Sequence, residues 1–189
     1  MFKRSVLATL FIAAAMPALA HTGHASASGF LSGFSHPLGG IDHVLAMVSV
    51  GLFAALLGGQ AVWALPTSFV AMMLAGGVLG LIGIAVPAVE SGIALSVVVL
   101  GAVVTWGRRW PVQAAAALVG AFAVFHGHAH GMEIPSGASV VLYSLGFTLA
   151  TVLLLGAGMM FATITARQMH VSRLAGAAVA VAGFVLLIG

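Results

Sequence analysis

Residues 138–164 read ASVVLYSLGFTLATVLLLGAGMMFATI, twenty-seven positions without a charged side chain. As a helix rising 1.5 Å per residue this stretch is about 40 Å long, more than the roughly 30 Å hydrocarbon core of a bilayer. Inside that core the backbone must satisfy its own hydrogen bonds, which leaves helices and closed barrels. A barrel needs segments alternating apolar and polar residues, and the stretch has none. It predicts a membrane-spanning helix.

Similar blocks lie on either side. Reading outward gives apolar segments at about 38–58, 63–86, 89–106, 111–127, 138–164 and 172–189. Pro37, Pro87, Pro111 and Pro135 stand at the boundaries, and Pro66 falls in the first turns of its block, where proline is tolerated. The last block keeps sixteen residues after Arg173, about 24 Å of helix and short for a span. The expected fold is all-α, a polytopic bundle of about six transmembrane helices.

Composition agrees. Of 189 residues, 62% are hydrophobic and 5% charged, with a mean hydropathy of +1.23. That is too little polar surface for a water-soluble globule and too much apolar matter for a disordered chain. The pI near 10.8 arises from six basic residues against three acidic ones, not from the clustered basic face that binds nucleic acid. With no cysteine, disulfides, thiolate metal centres and thiol nucleophiles are excluded.

Met1 to Ala20 has the parts of a secretory signal peptide: Lys3 and Arg4, an apolar middle from Val6 to Met16, and Ala18-Leu19-Ala20 as cleavage site. An uncleaved first helix competes with this reading, but its apolar stretch is shorter than the roughly 20 residues of a span. Cleavage leaves 21–189 as a single transmembrane domain beginning at His21. A translocated N-terminus followed by six spans puts the loops near 59–62, 107–110 and 165–171 in the cytoplasm. Arg108, Arg109, Arg167 and Arg173 all fall there, as the positive-inside rule asks, and Trp63, Trp106 and Trp110 anchor the same interface.

The polar residues go to the other end. His36, Asp42 and His43 sit at the outer end of the first span, Glu90 at the start of the third, and His126, His128, His130 and Glu133 at the end of the fourth. His21 and His24 lie on the outer tail, and only His170 is on the inner side. A charged group at membrane depth costs about 2.5–3.5 kcal/mol on insertion scales, so such residues mark a pathway or relay. On a continuous helix His36 and His43 share a face, with Asp42 one step aside; His126, His130 and Glu133 share another, and His128 points elsewhere. Gly127 and Gly131 leave open an unwound stretch exposing carbonyls instead. Glu90 has a second reading, as a carboxylate favoured at a helix start. Phe69, Met72 and Met73 read as packing or lipid faces. Imidazole with carboxylate suits a borderline divalent ion: Ni²⁺, Co²⁺ or Zn²⁺. Asp42 serves either as a ligand or as the acceptor that orients a ligand histidine.

The stretches His36-Pro37-Leu38-Gly39-Gly40-Ile41-Asp42-His43 and Phe125-His126-Gly127-His128-Ala129-His130-Gly131-Met132-Glu133 resemble the two signature motifs of the HupE/UreJ family. The signal segment, the His-Thr-Gly-His start and the length match as well. The resemblance implies an ATP-independent uptake permease for nickel, sometimes cobalt, in the bacterial inner membrane, with its mature N-terminus periplasmic. It also implies a link to hydrogenase or urease maturation, and a transport site containing His36, Asp42, His43, His126, His130 and Glu133; Glu90 joins them on position.

On this reading the partners are a divalent transition-metal ion and the lipid bilayer, with no nucleic acid. The protein is no enzyme, and it keeps no resident cofactor. The chain has no glycine-rich Walker motif with which to hydrolyse nucleotide. Capture requires neutral imidazoles and should weaken as pH falls through about 6.5, the ordinary histidine value. The alternative is an intramembrane zinc hydrolase using the same cluster, with Asp42, Glu90 or Glu133 as general base. A haem carrier would want histidine pairs facing each other within the bundle. A retinal pump is excluded because the only lysine is Lys3.

Overall fold

A computed structural model describes residues 29–189. The expected signal segment 1–20 and the tail histidines His21 and His24 lie outside the described residues. Among the described residues there are seven helices and no strand: α1 (Gly29–Gly39), α2 (Ile41–Leu57), α3 (Ala61–Leu81), α4 (Val89–Trp106), α5 (Val112–Met132), α6 (Val140–Ile164) and α7 (Met169–Ile188). Helices α3 to α7 are each long and apolar enough to cross a membrane. The pair α1–α2 passes the same test together but is bent by 84°. Counted as one broken span, that pair brings the total to the six expected.

Three of the expected boundaries move. The second span stops at Leu81, not 86, because Gly83 takes a left-handed backbone (φ 74°) that ends the helix. The fourth runs on to Met132, through the whole histidine motif, so the unwound alternative does not hold. The last starts at Met169 and has 20 residues. At 1.5 Å each these give about 30 Å, a full crossing where the sequence suggested a short one.

The larger departure is at Gly40. The expectation of one continuous helix carrying His36 and His43 is wrong: Gly40 is extended (φ −102°, ψ 116°) and α1 turns sharply away from α2. Pro37 lies two residues before α1 ends, and neither glycine after it favours helix. Asp42, in the first turn of α2, accepts the backbone N–H of His43 at 2.8 Å and satisfies one of the amides that a helix start leaves open.

Close backbone contact holds the bundle together, and glycines make it possible. Helix α3 packs along α5, α4 along α7, and α1 and α2 along α6. In each pair the contact is reciprocal. A side chain at Gly76 would strike the Val124 carbonyl, and one at Gly127 the Met73 carbonyl; Gly51 and Gly158 stand in the same relation to Leu155 and Val48. Gly101 meets Gly176 and Ala180. Without a hydrophobic drive between helices in lipid, such small-residue faces carry association. Gly80, one turn on from Gly76, meets the His128 carbonyl in the same way.

Helix α2 is the central strut, with Ser49 to Ala54 buried without interruption. Its N-terminal end reaches the histidines. At its other end Phe53 stacks edge-on against Trp110, 6.3 Å away. That far end also carries Trp63 and Trp106, both exposed.

Candidate metal site

The chain brings all three of its acids to one place. His36, Asp42, His43, Glu90, His130 and Glu133 line a single open cavity of about 390 Å³, together with Ser35, Gly39, Gly40, Ile93 and Ala129. The 84° bend makes this possible by folding α1 toward the ends of α4 and α5, so that His36 and His43 approach His130 from different directions. Of the expected site residues only His126 is absent from the cavity wall. It lies deeper, against His43.

The imidazoles form a ladder. The His36 ring is 4.7 Å from His130, His130 is 4.4 Å from His43, and His43 is 4.8 Å from His126, centre to centre. Only the rung at the mouth is open: the His36 side chain is 34% exposed, while His130, His43 and His126 behind it are buried, at 3%, 9% and 0%. Around the ladder stand Phe69, 5.9 Å from His126, and Phe147, 3.9 Å from His130. Phe69 and Met73 are buried, as a packing reading requires, and Met72 is partly exposed.

Hydrogen bonds fix which nitrogens are available. At the mouth His36 Nε2–H donates to Glu133 Oε2 at 2.7 Å. Beyond His130, His43 Nδ1–H donates to Asp42 Oδ1 at 2.8 Å, which leaves Nε2 as the nitrogen with the lone pair. At the bottom, the Ser96 hydroxyl has one hydrogen and gives it to the Ile93 carbonyl at 2.6 Å. Its oxygen must therefore accept from His126 Nε2–H, 2.9 Å away, and the His126 lone pair is on Nδ1. His43 Nε2, His126 Nδ1 and both nitrogens of His130 are buried with no hydrogen-bond partner. Each buried orphan of this kind costs about 1–3 kcal/mol. Three imidazoles in succession, His43 touching both of the others and each with an unused lone pair, are chemically suited to an electrophile.

His36, His130 and Glu133 offer ligand atoms within 4.8 Å of one another. An ion bound at about 2.0–2.2 Å tolerates ligand pairs up to about 4.4 Å apart, so small side-chain rotations close the gap. Glu90 is exposed on the cavity rim.

His128 belongs elsewhere: it is buried and donates from Nε2 to the Ile84 carbonyl at 2.8 Å, tying α5 to the loop after α3. His170 is exposed at the opposite end. The motif's other residues are structural. Gly127 and Gly131 let α5 lie on α3, and Phe125 packs where a side chain at Gly92 would stand.

Sequence reasoning missed Ser96, Phe147 and Tyr143. Ser96 was legible as a hydroxyl inside the apolar run of α4. Tyr143, the only tyrosine, is buried with its hydroxyl unpartnered, and its ring is 5.9 Å from His36. Tyr143 and Phe147, four apart on α6, face the ladder together.

Comparison with known proteins agrees with the motifs. The family model for HupE / UreJ protein matches residues 9–186. The curated protein "Protein HupE" of Rhizobium leguminosarum bv. viciae is 47% identical over 191 residues, covering 99% of this chain and 100% of that one. No solved structure matches. With the match extending over nearly its whole length, the chain belongs to the HupE/UreJ family.

Proposed function

We propose that this protein is a secondary permease that takes up Ni²⁺, or Co²⁺, through the histidine-lined cavity and supplies it for hydrogenase or urease maturation. The metal ligands are His36, His43, His126, His130 and Glu133, with Glu90 on the rim. Asp42 orients His43 through Nδ1–H and raises the donor strength of Nε2, the usual effect of a carboxylate behind a ligand histidine. Ser96 does the same for His126 without adding charge.

The observation that carries the reading is the ladder. An ion entering the cavity replaces the His36–Glu133 hydrogen bond, loses water to nitrogen and carboxylate donors, and finds the next imidazole within 5 Å at each step. Borderline nitrogen donors suit Ni²⁺ and Co²⁺, and the absence of thiolate disfavours copper(I). A hydrolytic zinc centre would hold one ion in one fixed cage. A succession of ligands running from an exposed mouth to a fully buried histidine suits passage better.

Orientation follows from charge. Arg108, Arg109, Arg167 and Arg173 lie at the end away from the cavity, so in the inner membrane that end faces the cytoplasm and the cavity opens to the periplasm. The mature chain is then a single transmembrane domain over 21–189, its N-terminus periplasmic after removal of residues 1–20.

Uptake of ⁶³Ni²⁺ into proteoliposomes tests this, with Co²⁺ and Zn²⁺ as competitors. His130→Ala and Glu133→Gln are expected to abolish saturable uptake without lowering the amount of folded protein. Wild-type uptake in both variants would overturn the proposal.

A further inference from the structure

At the end opposite the histidines a second cavity opens between the ends of α2 and α4 and the start of α7. Its wall is apolar on one side, with Phe53, Leu56, Val104 and Met169, and cationic on the other, with Arg108, Arg109 and Arg173. Arg108 is held over the Trp106 ring, 4.9 Å from its centre. Arg173 lies across Gly107, where a side chain would come within 2.9 Å of its Nε. Gly107 caps α4 in a left-handed conformation (φ 64°), so a glycine makes both the turn and the room for the guanidinium.

These cations have no counter-charge in the chain. Its three acids are Asp42, Glu90 and Glu133, and all three line the cavity at the other end. No arginine is in a salt bridge among the described residues. Helix dipoles do not compensate either. The C-termini of α2, α4 and α6 and the N-termini of α3, α5 and α7 meet at this end, and their partial charges of about half a unit cancel. The positive-inside rule accounts for arginines on this side of the membrane. It does not require three of them to share one cavity with an apolar wall.

We propose that this cavity binds the phosphate of an anionic phospholipid from the adjoining leaflet. Arg109 and Arg173 would hold the headgroup, and the lipid chains would run along Leu56 and Met169. Guanidinium forks match phosphate oxygens, and basic pockets between transmembrane helices are suited to such headgroups. The apolar wall selects a lipid over a free phosphate, and the exposed tryptophans Trp63 and Trp106 put the cavity at headgroup depth. The proposal does not depend on the metal reading.

The test is lipid titration of the full-length protein in detergent, read by native mass spectrometry and thermal unfolding. Phosphatidylglycerol is expected to bind and raise the unfolding temperature, and phosphatidylcholine to do neither. The double variant Arg109→Gln/Arg173→Gln should lose about ten-fold or more in phosphatidylglycerol affinity. Arg167→Gln, at the same end but outside the cavity, should stay within about two-fold of wild type. Equal binding of the two lipids, or an equal loss in Arg167→Gln, would overturn the proposal. So would displacement of the lipid by inorganic phosphate. The comparison of lipids on the wild-type protein decides the matter even if the double variant does not fold.

Discussion

Replacing Ser96 by alanine removes one oxygen from a position with no solvent access and tests whether the ladder's nitrogens are set by their neighbours. In the native protein the serine hydrogen is committed to Ile93, so its oxygen accepts from His126 Nε2 and keeps the Nδ1 lone pair free. Without the hydroxyl, Nε2–H is left buried and unpartnered, a penalty of about 1–3 kcal/mol. The ring relieves it by turning or by moving its proton to Nδ1, and either change withdraws the ligand. At 1.4 kcal/mol per ten-fold, that penalty corresponds to about 5- to 150-fold weaker ion binding. Loss of outer partners at metal sites typically costs a similar 10–100-fold. Calorimetric titration of the solubilised protein with Ni²⁺ measures it, with unfolding temperature as the check on folding. Ser96→Thr keeps the hydroxyl and is expected to retain most of the affinity. Ni²⁺ affinity unchanged in Ser96→Ala, in a protein where His126→Ala weakens binding, would refute the reasoning.

Two further outcomes separate packing from chemistry. Gly127→Ala places a methyl group against the Met73 carbonyl and within 2.9 Å of the Gly77 amide nitrogen, so α3 and α5 must part. A loss of about 1–3 kcal/mol is expected, measured as lowered thermal stability in detergent. His128→Ala removes the bond to the Ile84 carbonyl and should cost about 0.5–1.5 kcal/mol of stability. Its Ni²⁺ affinity by calorimetry should be that of wild type, because His128 lies outside the ladder.

Much of this was legible because membrane insertion simplifies the code. In a bilayer an apolar run has to be a helix, so the all-α class followed from the sequence, as did the five long apolar helices. The charged and imidazole groups were conspicuous because so few others exist. Boundaries were less legible: α5 continues through three histidines that lower its hydropathy, since helix is the structure that satisfies its backbone at that depth. His36 and His43 were correctly grouped for a mistaken reason. Helical phase on one axis does not bring them together; the 84° bend between α1 and α2 does. His128 could not be assigned from spacing, because its partner is a carbonyl in a loop more than forty residues away.

The linear chain by itself determined the all-α class, the apolar segments long enough to cross, and the separation of arginines and tryptophans from histidines and acids, because hydropathy and charge act locally. Only the tertiary structure decided that α1 folds across the mouth, that four imidazoles stand ring to ring, and that Ser96 and Asp42 choose the free nitrogens. Those facts depend on directions between helices, set by glycine contacts and a bend, and no single helix carries that information.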